Sequence, residues 1–231
     1  MTIQSIRKFL IGLGHPENYD KIRYYFNHTK LKMYGVKTGD LKKIAKKWLK
    51  ENKDEDPKIK AETIKKLYLA ESFDEKILAS FICDKQPDII KEFLQKDFDL
   101  FIKEVDNWAV SDCLSDILAQ WVLINPKLRI NYLKKLIKSK NLWARRQALV
   151  VSFYLNFTQN EVDYSNLVFE FVEKTKQEKH PMIVKAVSWA LRGLVKYHSS
   201  ALRKYLDENL QTLPSLARRE VVKKLETGKK N

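Results

Sequence analysis

Leu142-Trp-Ala-Arg-Arg-Gln-Ala-Leu-Val150 resembles Ser215-Leu-Ala-Arg-Arg-Glu-Val-Val222, and Ile183-Val-Lys-Ala-Val-Ser-Trp-Ala-Leu191 lies between them. Aligning Ala148, Ala186 and Val221 gives offsets of 38 and 35 residues. A unit of that length has room for two helices and the turns between them. One such hairpin cannot bury its apolar face alone, so successive hairpins stack and share a core.

Helical periodicity fills the rest of the chain, and no run alternates as a strand would. It predicts helices over residues 2–11, 19–31, 40–52, 57–69, 74–84, 87–95, 98–105, 108–124, 126–139, 142–156, 161–177, 181–197, 199–210 and 214–226. Pro57, Pro87, Pro126, Pro181 and Pro214 fall at helix starts, where a missing N–H costs nothing. The expected fold is all-α: a single α-solenoid domain of stacked HEAT-like helical hairpins over residues 1–226, with a concave basic groove lined by one helix from each hairpin. Residues 227–231 read as a frayed tail. A bundle without repeats is the competing architecture.

The charge balance is lopsided, with 44 Lys and Arg against 29 Asp and Glu, a formal +15. Such a chain gathers polyanions through long-range attraction and counterion release, although a lysine-rich surface also simply keeps a protein soluble. Cys83 and Cys113 form no CxxC pair, and the four histidines do not cluster with them. A disulfide framework, a metal site or a cofactor is therefore not expected. No signal-peptide pattern or membrane-length apolar run occurs, and the chain reads as soluble, monomeric and cytoplasmic.

Three clusters carry candidate chemistry. In Asp106-Asn-Trp-Ala-Val-Ser-Asp112, Trp108 and Asp112 are four apart and share a helix face; taken alone they also read as a core aromatic and a surface carboxylate. In Trp143-Ala-Arg-Arg-Gln-Ala148, two adjacent arginines point to different sides of a helix. One can pair with a neighbouring repeat while Arg146 faces the groove, where a guanidinium grips phosphate bidentately; a structural ion pair is the alternative. In Lys185-Ala-Val-Ser-Trp-Ala-Leu-Arg192, Trp189 and Arg192 are helix neighbours. One offset of 38 carries Trp108 to Arg146, and two carry Asp112 to Ser188, one residue from Trp189, so Trp108, Asp112, Arg146 and Trp189 are expected on one groove. Large aromatics on a wet basic surface suit stacking or edge contact with nucleotides.

These three segments, in this order and spacing, resemble the signatures of the AlkD-type family of HEAT-repeat alkylpurine DNA glycosylases. Met33-Tyr-Gly-Val-Lys-Thr-Gly-Asp-Leu-Lys-Lys-Ile-Ala45 is similar to the family's N-terminal landmark, and the resemblance spans nearly the whole chain. Matched residue by residue, it implies Asp112 as the catalytic carboxylate and Trp108 and Trp189 as aromatic cleft residues. It implies Arg146 and Arg192 as backbone-contacting arginines, with Lys37 on the N-terminal landmark as a further DNA contact. Tyr25, or its neighbour Phe26, falls where the family can carry a tyrosine near the duplex. The implied activity is hydrolysis of the N-glycosidic bond of cationic N3- or N7-alkylpurines in duplex DNA, the first step of base excision repair. A non-catalytic DNA-binding protein of the same superfamily and a HEAT-type protein-interaction scaffold are the competing functions.

Overall fold

The computed structural model describes residues 2–26, 28–157 and 162–229, without the side chains of Tyr25 and Phe157. Fourteen α-helices and one short 3₁₀ turn account for the regular structure among the described residues, joined by an isolated parallel bridge between Lys32 and Ser72. The chain divides into two compact units, Met1–Ile124 and Asn125–Asn231.

Unit 1 holds α1 (Ile3–Gly12), α2 (Pro16–Tyr25), α3 (Thr38–Glu51), α4 (Pro57–Tyr68), α5 (Phe73–Cys83), α6 (Pro87–Ile90), α7 (Gln95–Lys103) and α8 (Trp108–Ile124). Capping chemistry sets many of the starts. The Asp56 carboxylate accepts the Lys58 N–H at 2.7 Å ahead of Pro57, and the Ser72 hydroxyl accepts the Glu75 N–H. α3, α5 and α8 pack in sequence as one row. On the other side, Tyr68 and Phe101 stack at 4.5 Å and Phe98 lies 5.0 Å from Trp121.

The Met33–Val36 landmark is held by buried charge. One Asp74 carboxylate oxygen accepts the Tyr34 N–H at 2.7 Å and the other the Val36 N–H at 2.9 Å. Between them Gly35 adopts φ +79°, and a Cβ there would lie 2.7 Å from the His15 carbonyl oxygen, so only glycine fits. Next to it, buried Glu75 accepts two guanidinium N–H bonds from Arg7, at 2.7 and 3.1 Å, and the Tyr34 hydroxyl at 3.1 Å. α1, the landmark and α5 are thereby locked together.

Unit 2 holds α9 (Pro126–Leu136), α10 (Leu142–Phe157), α11 (Ser165–Thr175), α12 (Pro181–Gly193), α13 (Ser199–Asn209) and α14 (Ser215–Thr227). α12 packs between α10 and α14. Ala148, Ala186 and Val221, the three aligned repeat positions, are all fully buried, as the shared core requires. Side-chain ties between consecutive hairpins fall at one repeat period: Arg145 to Glu178 spans 33 residues, Arg146 to Met182 spans 36, and Ser188 to Glu220 spans 32.

Several boundaries differ from the sequence expectation. α2 begins at Pro16, not 19, and ends at Tyr25, because the following residues leave the helix to bond Asp106. The expected 87–95 helix stops at Ile90, and α7 starts at Gln95 instead of 98. There the Phe93 carbonyl accepts the Trp121 indole N–H at 2.8 Å, and Asp97 accepts the Leu94 N–H at 2.8 Å as α7 begins. α11 begins at Ser165, where Asn156 and Asp163 side chains accept the N–H groups of Tyr164 and Ser165; the expected start at 161 lies outside the described residues. α12 ends at Gly193, before the expected 197. α14 runs to Thr227 and is capped by Gly228 at φ +70°; residues 230–231 of the expected tail lie outside the described residues.

Candidate functional site

Unit 1 carries Trp108 and Asp112 on one helix face. Asn107 caps α8, its side-chain oxygen accepting the Val110 N–H at 3.0 Å, so Trp108 is the first helical residue. Asp112 follows one turn later and is half-buried. Trp108 remains 43% exposed, yet its ring is backed: Phe26 lies 5.1 Å away at 47°, and Phe73 lies 5.4 Å behind Phe26. A large aromatic held half in water by two buried rings is a preformed contact surface.

The Asp106 carboxylate fixes the approach to this helix. It accepts the Thr29 hydroxyl at 2.6 Å, the Lys30 N–H at 2.7 Å and the Asn107 side-chain N–H at 3.0 Å. An Asp-Asn pair before a helix is itself a capping signal, which the four-residue spacing of Trp108 and Asp112 does not register. Phe26 is the buried ring beneath Trp108, and the Tyr25 side chain lies outside the described residues.

The α8 face beyond Asp112 is acidic. Burial, and then the charges of Asp112 and Asp116, push the Cys113 thiol up to about 12, with Lys42 opposing. Asp116 is itself raised above the ordinary carboxylate range, chiefly by burial and next by Asp84. Lys37 stands exposed at the N-terminal boundary of α3.

Unit 2 carries Arg146, Trp189 and Arg192. The expectation that one arginine of the Arg145-Arg146 pair joins a neighbouring repeat is met by Arg145, whose guanidinium bonds both Glu178 carboxylate oxygens at 2.8 and 2.7 Å. Arg146 is rotated about 100° further round the helix, into the seam between α10 and α12. It is 3% exposed and donates to the Met182 carbonyl at 2.7 Å, so it is not the open groove-facing fork that the sequence suggested. Trp189 is half-buried, 5.2 Å from Phe153 and 6.2 Å from Tyr154. Arg192 donates to the Ser188 hydroxyl oxygen at 3.1 Å and lies 3.4 Å from Glu220, which accepts the Ser188 hydroxyl at 2.5 Å. Trp189 and Arg192 thus share α12, and Trp108 and Asp112 share α8.

Among the described residues no group of three or more His, Cys, Asp or Glu is placed to hold a metal ion, and no helix is long and apolar enough to cross a membrane.

A family model described as DNA alkylation repair enzyme matches residues 6–225. Among solved structures, the chain is similar to one described as a predicted DNA alkylation repair enzyme from Enterococcus faecalis, with a TM-score of 0.73 and 20% identity over 93% of this chain and 97% of that one. No curated protein sequence matches it.

Proposed function

This chain belongs to the DNA alkylation repair enzyme family, which sets its role in the repair of alkylated DNA, and from that premise we propose that it is a DNA glycosylase releasing cationic N3- or N7-alkylpurines from duplex DNA. The observation that carries the proposal is the pairing on α8 of a half-exposed, ring-backed tryptophan with a carboxylate one turn away.

Alkylation at N3 or N7 makes the purine cationic. When the C1′–N9 bond breaks, its electron pair passes to the purine, which departs neutral and needs no proton. Positive charge then develops on the deoxyribose, and water adds at C1′, losing one proton to leave an abasic sugar. In this scheme the Asp112 carboxylate lies beside that charge and orients the water, as carboxylates do in sugar hydrolysis. The Trp108 face supplies electron density to the same cation. Nothing in this step calls for a metal or cofactor. In unit 2, Trp189 and Arg192 serve as DNA contacts, and Lys37 serves as one in unit 1. Arg146 ties α10 to the start of α12 through the Met182 carbonyl. The protein acts as a monomer.

The charge that Asp112 meets appears only as the base leaves, so its loss lowers rate more than affinity. Asp112→Asn keeps shape and polarity, and is expected to slow excision by on the order of a hundredfold or more, with duplex binding unchanged or slightly tighter. The assay is single-turnover release of 7-methylguanine paired with an equilibrium binding curve. Excision at the wild-type rate removes Asp112 from the chemistry. A wild-type protein that binds duplex and releases no alkylated base is a DNA-binding protein instead; one that binds no duplex favours a scaffold.

A further inference from the structure

Thr29–Val36 is a short basic strap laid across unit 1 and fastened at three places. Asp106 holds its start through the Thr29 hydroxyl and the Lys30 N–H. The bridge to Ser72 holds its middle, with the Lys32 N–H donating to the Glu71 carbonyl at 2.8 Å and the Phe73 N–H donating to the Lys32 carbonyl at 2.8 Å. Asp74 holds its end at Tyr34 and Val36. Between this strap and α2 lies a cleft of about 350 Å³.

Three basic side chains, Arg23, Lys30 and Lys32, line the cleft together with Tyr19 and the Phe26 ring, and its described lining contains no carboxylate. The Lys32 ammonium is already paired with Glu71 at 2.7 Å. Arg23 bonds the Tyr19 hydroxyl at 2.6 Å and lies over that ring, so its charge meets no carboxylate there. Lys30 is exposed, and its backbone, not its ammonium, is what Asp106 holds. Arg23 and Lys30, on separate elements, thus both border this one open hollow, and Lys30 also borders a second hollow that Glu71, Glu104 and Asp106 line. The wall of the first hollow is Phe26, the ring on which Trp108 rests.

We propose that this cleft holds a backbone phosphate of the DNA strand engaged at Trp108, gripped by Arg23 and Lys30. The inference rests on the DNA-repair reading above and adds to it two residues, Arg23 and Lys30, to which neither the repeat pattern nor the family resemblance gives a role. The guanidinium supplies directional donors and the ammonium a mobile point charge. Asp106 joins both halves of the arrangement, since it fixes the strap carrying Lys30 and abuts the helix that begins with Trp108. Because Phe26 both walls the cleft and lies against the Trp108 ring, the phosphate held is placed within about three nucleotides, roughly 10 Å of strand, of the position Trp108 addresses.

The probe is a set of duplexes with one 7-methylguanine, each carrying a single uncharged methylphosphonate at a successive backbone position. Wild-type affinity is expected to dip about five- to twentyfold at one position within three nucleotides of the lesion. Arg23→Ala/Lys30→Ala is expected to bind the unmodified duplex weaker by the same factor, to show no dip at that position, and to have a log–log salt slope shallower by roughly one. Arg23→Lys restores part of the affinity. A variant that keeps the wild-type profile, or loses affinity while the dip persists, overturns the proposal and leaves the enzymatic reading intact. A wild-type protein with no affinity for duplex refutes the DNA reading itself.

Discussion

Gly193→Ala tests how Trp189 is held. A Cβ at Gly193 would lie 2.5 Å from Phe153 Cδ2, over an ångström inside ordinary carbon–carbon contact. Phe153 is buried, and its ring packs 5.2 Å from Trp189, so it has to give way toward the tryptophan. Overpacking of this kind costs about 1–3 kcal/mol. Replacing glycine by alanine near a helix end returns about half a kcal/mol to 1 kcal/mol, so from the middle of the overpacking range, about 2 kcal/mol, the net destabilisation is about 1–1.5 kcal/mol. For a chain of this length that corresponds to a Tm lower by roughly 2–6 °C. Thermal unfolding monitored by circular dichroism measures the first number, and tryptophan emission reports the second consequence, a displaced Trp189. Phe153→Leu in the same chain makes room for the methyl, so the double variant is expected to be more stable than the sum of the two single losses predicts. A Gly193→Ala protein as stable as wild type, or a double variant with strictly additive losses, refutes the contact as the reason for glycine.

Two further outcomes follow from the acidic face of α8. Because the folded protein holds Asp116 above its ordinary range, it binds protons that the unfolded chain has released, and stability falls as pH rises past the unfolded carboxylate value. Asp116→Asn is therefore expected to raise the Tm at pH 7 and to leave it unchanged near pH 3; an equal change at both pH values argues against the shift. Cys113, pushed up to about 12, and Cys83, raised further by complete burial, carry almost no thiolate at pH 8. A disulfide reagent is expected to label neither in native protein within minutes and both in denaturant, and rapid native labelling contradicts this.

The helical architecture was legible because apolar spacing and proline placement are local signals. α8 and α10 begin at Trp108 and Leu142 as the periodicity predicts. The boundaries that moved are those set by distant partners: the end of α2 answers to Asp106, and the break before α7 to Trp121, which periodicity does not register. Trp108 and Asp112 lie as their four-residue spacing implies. The arginines illustrate the limit. A spacing of one residue says that Arg145 and Arg146 diverge, and the partners at Glu178 and Met182 leave Arg145 partly exposed in a clasp and Arg146 buried in the seam. The Arg23–Lys30 cleft was invisible for the same reason, since the fastenings that close it come from Asp106, Glu71 and Asp74, well along the chain.

The ties spaced one repeat apart bear on how unit 2 comes undone. Each joins a hairpin only to its successor, so detaching the last hairpin severs one such seam, which includes the Ser188–Arg192–Glu220 cluster and the bonds of Lys176 to Asn209 and Thr212, whereas freeing α12 severs two. Amide protons along α14 should consequently exchange with solvent deuterium sooner than those along α10. Peeling inward from the C-terminal end would release Arg192 from Glu220 while leaving the Arg145–Glu178 clasp shut.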